Sequence, residues 1–265
     1  MKKENFANIG KAIATTRQSA SVSSGPLQSS KFIRCLLQPF GCSATLSPFS
    51  SVFGSFTSGD YHRIFATDLM HEMELGVIKN IIMYIYRIVR HSGTADMMDE
   101  CFAQIPRFGD AIRKFRDSVT AAEGMTAREY KQNLLCLLPV ISGLLPGFEP
   151  LASRLVYSLN VWFALAKLHM QTDETIKAMD DELSVFEKTL RAFKVRADVW
   201  QQRQVAKGST SLEKLWSINT PKTHMMGHTS LSIKSFRPTV GYTTEMGELQ
   251  HKYSKSVSGG YLFWR

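Results

Sequence analysis

Acidic residues are nearly missing from the first 67 positions, which hold only Glu4 and Asp60. That scarcity excludes a carboxylate-based metal or acid–base centre built from the N-terminal quarter alone. Cysteine is sparse too. The four thiols, Cys35, Cys42, Cys101 and Cys136, are irregularly spaced and form no Cys-x-x-Cys, so neither a disulfide framework nor a cysteine zinc site is expected. Reduced, buried thiols suit an intracellular compartment. Long apolar runs are also lacking. Ile81 to Tyr86 is flanked by Lys79 and Arg87 and is too short to span a bilayer, and Lys2 and Lys3 lead into no apolar run resembling a secretory signal.

What the chain does have is a globular balance and a lopsided charge. Of its 265 residues 44% are hydrophobic and 21% charged, with a formal net charge of +9. Residues 1–60 carry six Lys/Arg against two acids, and residues 200–265 carry nine against three, leaving the middle close to neutral. Basic ends fit polyanion binding, although basic proteins without such partners are common.

Residues 1–60 are rich in Ser, Gly and Thr without a sustained apolar period, and read as disordered or loosely structured. From Asp68 a helical period begins. Asp68 predicts an N-cap, and Met70, Met73, Val77, Ile81, Ile85 and Ile88 recur at three- and four-residue steps up to about Arg90, before Ser92-Gly93. A short helix is expected over Asp96 to Gln104, and another over Gly109 to Val119. Thr126-Ala-Arg-Glu129 is a capping box opening a helix through Leu134, Leu135, Leu138, Ile141 and Leu145, kinked at Pro139. Leu151 to Met170 follows, with Leu155, Leu159, Trp162, Phe163 and Ala166 inward. Thr172 starts a helix carrying Leu183, Phe186, Leu190 and Phe193, broken near Lys207-Gly208. Thr220-Pro221 and Thr244 mark two further starts. The expectation is a mainly α, multi-helix bundle over residues 61–256, with 257–265 a truncated tail.

Two pairs stand out as chemistry. Asp68/His71 and Glu248/His251 each place an acid three residues before an imidazole, on one helix face, 180 residues apart. Taken singly, each is also what an N-cap or an exposed helix ordinarily contains. A zinc-protease reading of His71-Glu72 fails, because Leu75 occupies the place of the second histidine. His224 and His228 lie at i and i+4, a metal-compatible spacing with no third ligand evident. A hydrolase built from Asp68, His71, His224 and His228 requires all four to converge on one ion.

Several segments, in order, carry a resemblance. Asp68-Leu-Met-His-Glu-Met-Glu-Leu-Gly-Val77, Arg107-Phe-Gly109, Ile112-Arg-Lys-Phe115, Ala127 to Cys136 with Pro139-Val140 and Gly143-Leu-Leu-Pro146, Trp162 to Leu168, Thr220-Pro-Lys-Thr-His224 and Thr244 to His251 resemble fungal DNA transposases of the Plavaka type, relatives of the CACTA group. The resemblance covers about residues 60–256. It implies an RNase H-like core in which three carboxylates hold two Mg²⁺ for strand cleavage and joining. Glu248 matches the last of the three acids. Asp68 and His71 match the Asp-x-x-His motif, taken as organising the site or its helical insertion, with His224 and His251 flanking the centre. Lys222, Lys252 and Lys255 fall where phosphate contacts are expected.

The two early catalytic aspartates of such enzymes lie on strands upstream of this motif, and no acid-bearing strand precedes Asp68 here. The expectation is therefore a remnant holding the helical insertion and terminal helix, with the catalytic sheet largely missing. It would need no cofactor of its own, lack autonomous nuclease activity, retain residual DNA binding and, if expressed, reside in the nucleus. The alternative is a helical protein-interaction module with no nucleic-acid role.

Overall fold

In the computed structural model the described residues are 66–109, 111–115, 118–121, 124–208, 216–245, 247–251 and 253–254. Residues 1–60, expected to be loosely structured, the expected tail at 257–265, Cys35, Cys42, Lys252 and Lys255 lie outside them. The described part is a mainly α, multi-helix bundle. A π-helical segment, Leu69–Ile78, leads into α1 (Lys79–Ser92), α2 (Ala95–Gln104), α3 (Ala127–Val140), α4 (Glu149–Ala166) and α5 (Asp173–Ala206). A short α6 (Pro221–Met225), a 3₁₀ turn (Met226–His228), α7 (Thr229–Phe236) and a second 3₁₀ turn (Thr239–Gly241) follow. Described residues within 245–254 are again helical. Among the described residues there is no β-strand, only an isolated bridge between Phe108 and Ile112.

Helix starts follow their caps. Thr126 and Thr172 each accept from the backbone three residues on, with Glu129 and Thr175 reciprocating, and Thr220 accepts from Thr223 N–H. Helix ends depart more from expectation. Pro139 stands inside α3 next to its end, where it lacks the donor and crowds the preceding turn. Ile141 closes the helix and Gly143 turns left-handed at φ +80°. Leu135 consequently faces solvent, while Tyr130, Leu134 and Leu137 face inward. Residues 109–119 are not helical where described. Asp99 competes for that backbone, accepting from Val119 N–H (3.0 Å), Thr120 N–H (2.9 Å) and the hydroxyls of Ser118 and Thr120. Cys101, expected to be buried, is exposed; Cys136 is buried, and both are free thiols.

One contiguous core cluster draws on two main parts of the chain. α4 and α5, joined by the six residues 167–172, share the most extensive helix–helix packing, through Leu155, Leu159, Trp162, Phe186, Leu190 and Phe193. Each such side chain contributes roughly 1.5–3 kcal/mol by burial. α1 supplies the second part. Ile81, Ile82, Tyr84, Ile85, Tyr86, Ile88 and Val89 are all buried, a helix enclosed on most of its circumference. Tyr84 stacks on Trp216 at 4.4 Å and donates to Gln201 Oε1 at 3.2 Å, which fastens α1 to α5.

The stretch before α1 winds more widely than an α-helix. Lys79 N–H reaches the carbonyl of Glu74, five residues back. Ten residues is long for a π-helix, which usually occurs as a single turn. Leu69 is buried and Met70 only partly so, which starts the inward row at Leu69, four residues before Met73. The segment packs on α1, α3 and α6, so its two rims are in reach of distant parts of the chain.

Candidate functional site

The chain enters the π-helical segment tied down. Thr67, fully buried, donates its N–H to Ser232 Oγ on α7 at 3.1 Å. This fixes the next residue, Asp68, whose carboxylate carries the site. Oδ1 and Oδ2 accept from the backbone N–H groups of Met70 and His71, which caps the helix. Oδ2 also lies 2.5 Å from His71 Nδ1, and accepts from Thr244 Oγ1 at 2.6 Å. Oδ1 accepts from Thr244 N–H at 3.3 Å. One carboxylate thus joins the start of the π-helical segment to the start of the helical residues after Thr244, 176 positions away in sequence. Burial pushes the Asp68 carboxyl up, but the bonds from Thr244 and His71 outweigh it and hold it below the ordinary aspartate value.

An ionised Asp68 accepts only, so His71 presents Nδ1–H to it and leaves Nε2 facing outward. Nε2 lies 3.8 Å from Glu248 Oε1, too long for a hydrogen bond and an ion pair only when the ring is protonated. The two side chains are 45% and 51% exposed, so the contact is worth about 0–1 kcal/mol. Glu248 itself is placed by its own N–H, which bonds Thr244 O at 3.0 Å. The two acid–imidazole pairs therefore meet through Asp68, His71 and Glu248. His251, one turn beyond Glu248, is exposed and has no bond to them.

Lys222, expected at phosphates, is exposed but bonded to its own fold. Its Nζ donates to the carbonyls of His71 (2.8 Å) and Leu75 (3.4 Å). The stem lies across Gly76, where an added Cβ would meet Lys222 Cδ at 2.5 Å and Cβ at 3.2 Å. A glycine inside a helical period is the sequence signal for such close approach. Glu72, beside this lysine, has a raised carboxyl through burial first and the Asp68 charge second, and its Oε2 is buried without a hydrogen-bond partner. Glu74, on the opposite rim, is buried and paired with Lys167 Nζ at 3.1 Å; burial still leaves its carboxyl above the ordinary value.

His224 and His228 face each other, Nε2 to Nε2 at 3.1 Å. They do not combine with Asp68 and His71 into one four-ligand centre. Among the described residues no group of three or more His, Cys, Asp or Glu is arranged to hold a metal ion. Nor does the Asp68 site fit the two-Mg²⁺ arrangement. Both Asp68 oxygens are taken up by five donors, two of them from Thr244, and Glu248 brings no second free carboxylate with it. Among the described residues no helix is long and apolar enough to cross a membrane. Compared with family models, with curated proteins and with solved structures, the chain finds no match.

Proposed function

We propose that this chain is a helical domain derived from a cut-and-paste DNA transposase, in which the Asp-x-x-His motif is a structural clasp and not a strand-cleaving centre. The observation that supports this most is the bonding of Asp68. Its carboxylate is spent on helix capping and on Thr244, which brings Glu248 to the motif without supplying partners for a metal. A lone exposed glutamate beside a histidine cannot hold two divalent ions. The ordered motif matches support an ancestor among DDE transposases, and on that reading the nucleus is the expected site of action.

Residual DNA contact on this reading falls on exposed cations such as Lys234 and Arg237 and on the basic residues after His251, while Lys222, also exposed, is engaged by backbone carbonyls. The test has two arms. Supercoiled plasmid incubated with the protein and Mg²⁺ or Mn²⁺ stays uncut above background; nicking that Glu248→Ala abolishes overturns the proposal. Fluorescence anisotropy with duplex DNA shows binding that weakens steeply with salt, the mark of phosphate neutralisation.

A second reading, a protein-interaction module, is favoured by the internal use of Lys222 and by exposed Leu231, Val240 and Leu249 near the same end of the chain. Failure to bind duplex DNA at any salt concentration selects it.

A further inference from the structure

The imidazole pair on the segment after Thr220 has no part in the clasp. His224 and His228 are both exposed, on α6 and the 3₁₀ turn that follows it. Their Nε2 atoms are 3.1 Å apart and their ring centroids 4.9 Å apart. We propose that His224 and His228 form a bidentate site for a borderline divalent transition-metal cation, Cu²⁺ first, with Ni²⁺ and Zn²⁺ weaker. The site is independent of the ancestry proposed above.

The bite distance carries the argument. A cation about 2.1 Å from each nitrogen, the usual metal–imidazole length, subtends roughly 95° across a 3.1 Å separation. That angle matches two adjacent corners of a square-planar or octahedral shell more closely than a tetrahedron, which favours Cu²⁺ and Ni²⁺ over Zn²⁺ in the order of intrinsic affinity. Without a cation, one Nε2–H donates to the other Nε2. Binding requires the donor ring to change tautomer, losing its proton at Nε2 and gaining one at Nδ1 through water with no net release, so that both Nε2 lone pairs are free for the ion.

Preorganisation is the second support. Thr220 caps the start of α6 with bonds to Thr223 N–H and Oγ1, and Lys222 fastens it to the π-helical segment. Met226, between the two histidines, is buried, as are Thr229 and Ile233 just after them. The backbone carrying both rings is thus held, and little ordering is left to be done on binding. Gly227 adds no bulk, with open space where a side chain would stand. Water or an oxygen donor from a bound partner completes the shell.

The test uses the tag-free full chain, stripped with a chelator and titrated with CuCl₂, NiCl₂ and ZnCl₂ by calorimetry, with continuous-wave EPR of the Cu²⁺ sample. The expected result is one Cu²⁺ per chain with coupling to two nitrogens, and affinities ordered Cu²⁺ above Ni²⁺ above Zn²⁺. His224→Ala and His228→Ala each weaken Cu²⁺ binding at least about tenfold, while His169→Ala, at an exposed position elsewhere, leaves it unchanged. Far-UV circular dichroism confirms that each variant is folded, and His224→Gln and His228→Gln repeat the loss with polarity retained. Absence of Cu²⁺ binding, or affinity kept within twofold in the His224→Ala/His228→Ala double variant, overturns the proposal.

Discussion

The α4–α5 pair and the Asp68 clasp both join distant parts of the chain, but by opposite means. The helix pair buries Leu155, Leu159, Trp162, Phe186, Leu190 and Phe193 without directional bonds. The clasp concentrates five hydrogen bonds on one carboxylate that is 16% exposed, and its outer members His71 and Glu248 are about half in water. Apolar burial is insensitive to pH and tolerant of small shifts, whereas a hydrogen-bonded carboxylate is sensitive to both. One region sets the stability of the bundle. The other decides where a particular segment docks.

Truncating the apolar region should have the largest effect. Trp162→Ala is expected to lower unfolding free energy by about 3–5 kcal/mol, read from urea melts. A loss below 1 kcal/mol would show that the α4–α5 interface is not the main support. Lys167→Met comes next, because it strands the buried Glu74 carboxylate, at roughly 3 kcal/mol. Burial, opposed by Lys167, raises the folded-state carboxyl of Glu74 above its unfolded value, so the folded state binds more protons and stability falls as pH rises through that interval. The Lys167→Met defect should therefore shrink as pH falls through the raised Glu74 range and be gone below the ordinary glutamate value, and a defect independent of pH would contradict the assignment.

Asp68→Asn sharpens the other side of the comparison. It removes the charge from a cap and a clasp, with an expected loss of about 1–2 kcal/mol. Because the folded carboxyl lies below its ordinary value, the stability it adds is present above the unfolded pKa and disappears as pH falls through the folded one. Hydrogen exchange should report faster amide exchange after Thr244 in this variant, and unchanged exchange in α4 and α5. Glu248→Ala should have the smallest effect, within about 0.5 kcal/mol, since its partner is distant and both are solvated. A larger loss would make the glutamate an integral member of the clasp.

Much of this was legible in the residues. The caps at Asp68, Thr126, Thr172 and Thr220 mark the helix starts because the capping bond is local and needs only a short polar side chain. The inward positions of α4 and α5 followed the 3.6 period for the same reason. The end of α3, the irregular 109–119 stretch and the π winding were not legible. The last two depend on what meets the backbone from elsewhere: Asp99 on residues 118–120, and Lys222 on the carbonyls of His71 and Leu75. At the site, spacing singled out Asp68, His71 and Glu248. It could not show that Thr244, the residue opening the last helical stretch, is what binds them.

The lysine that crosses Gly76 makes two distant positions answer to each other. A methyl group at 76 would displace the Lys222 stem, and with it the ammonium that tethers α6 to the π-helical turn. In any related chain where position 76 carries a side chain, residue 222 should be shorter or reach its carbonyls by another route. The two sites would then vary together although 146 residues separate them.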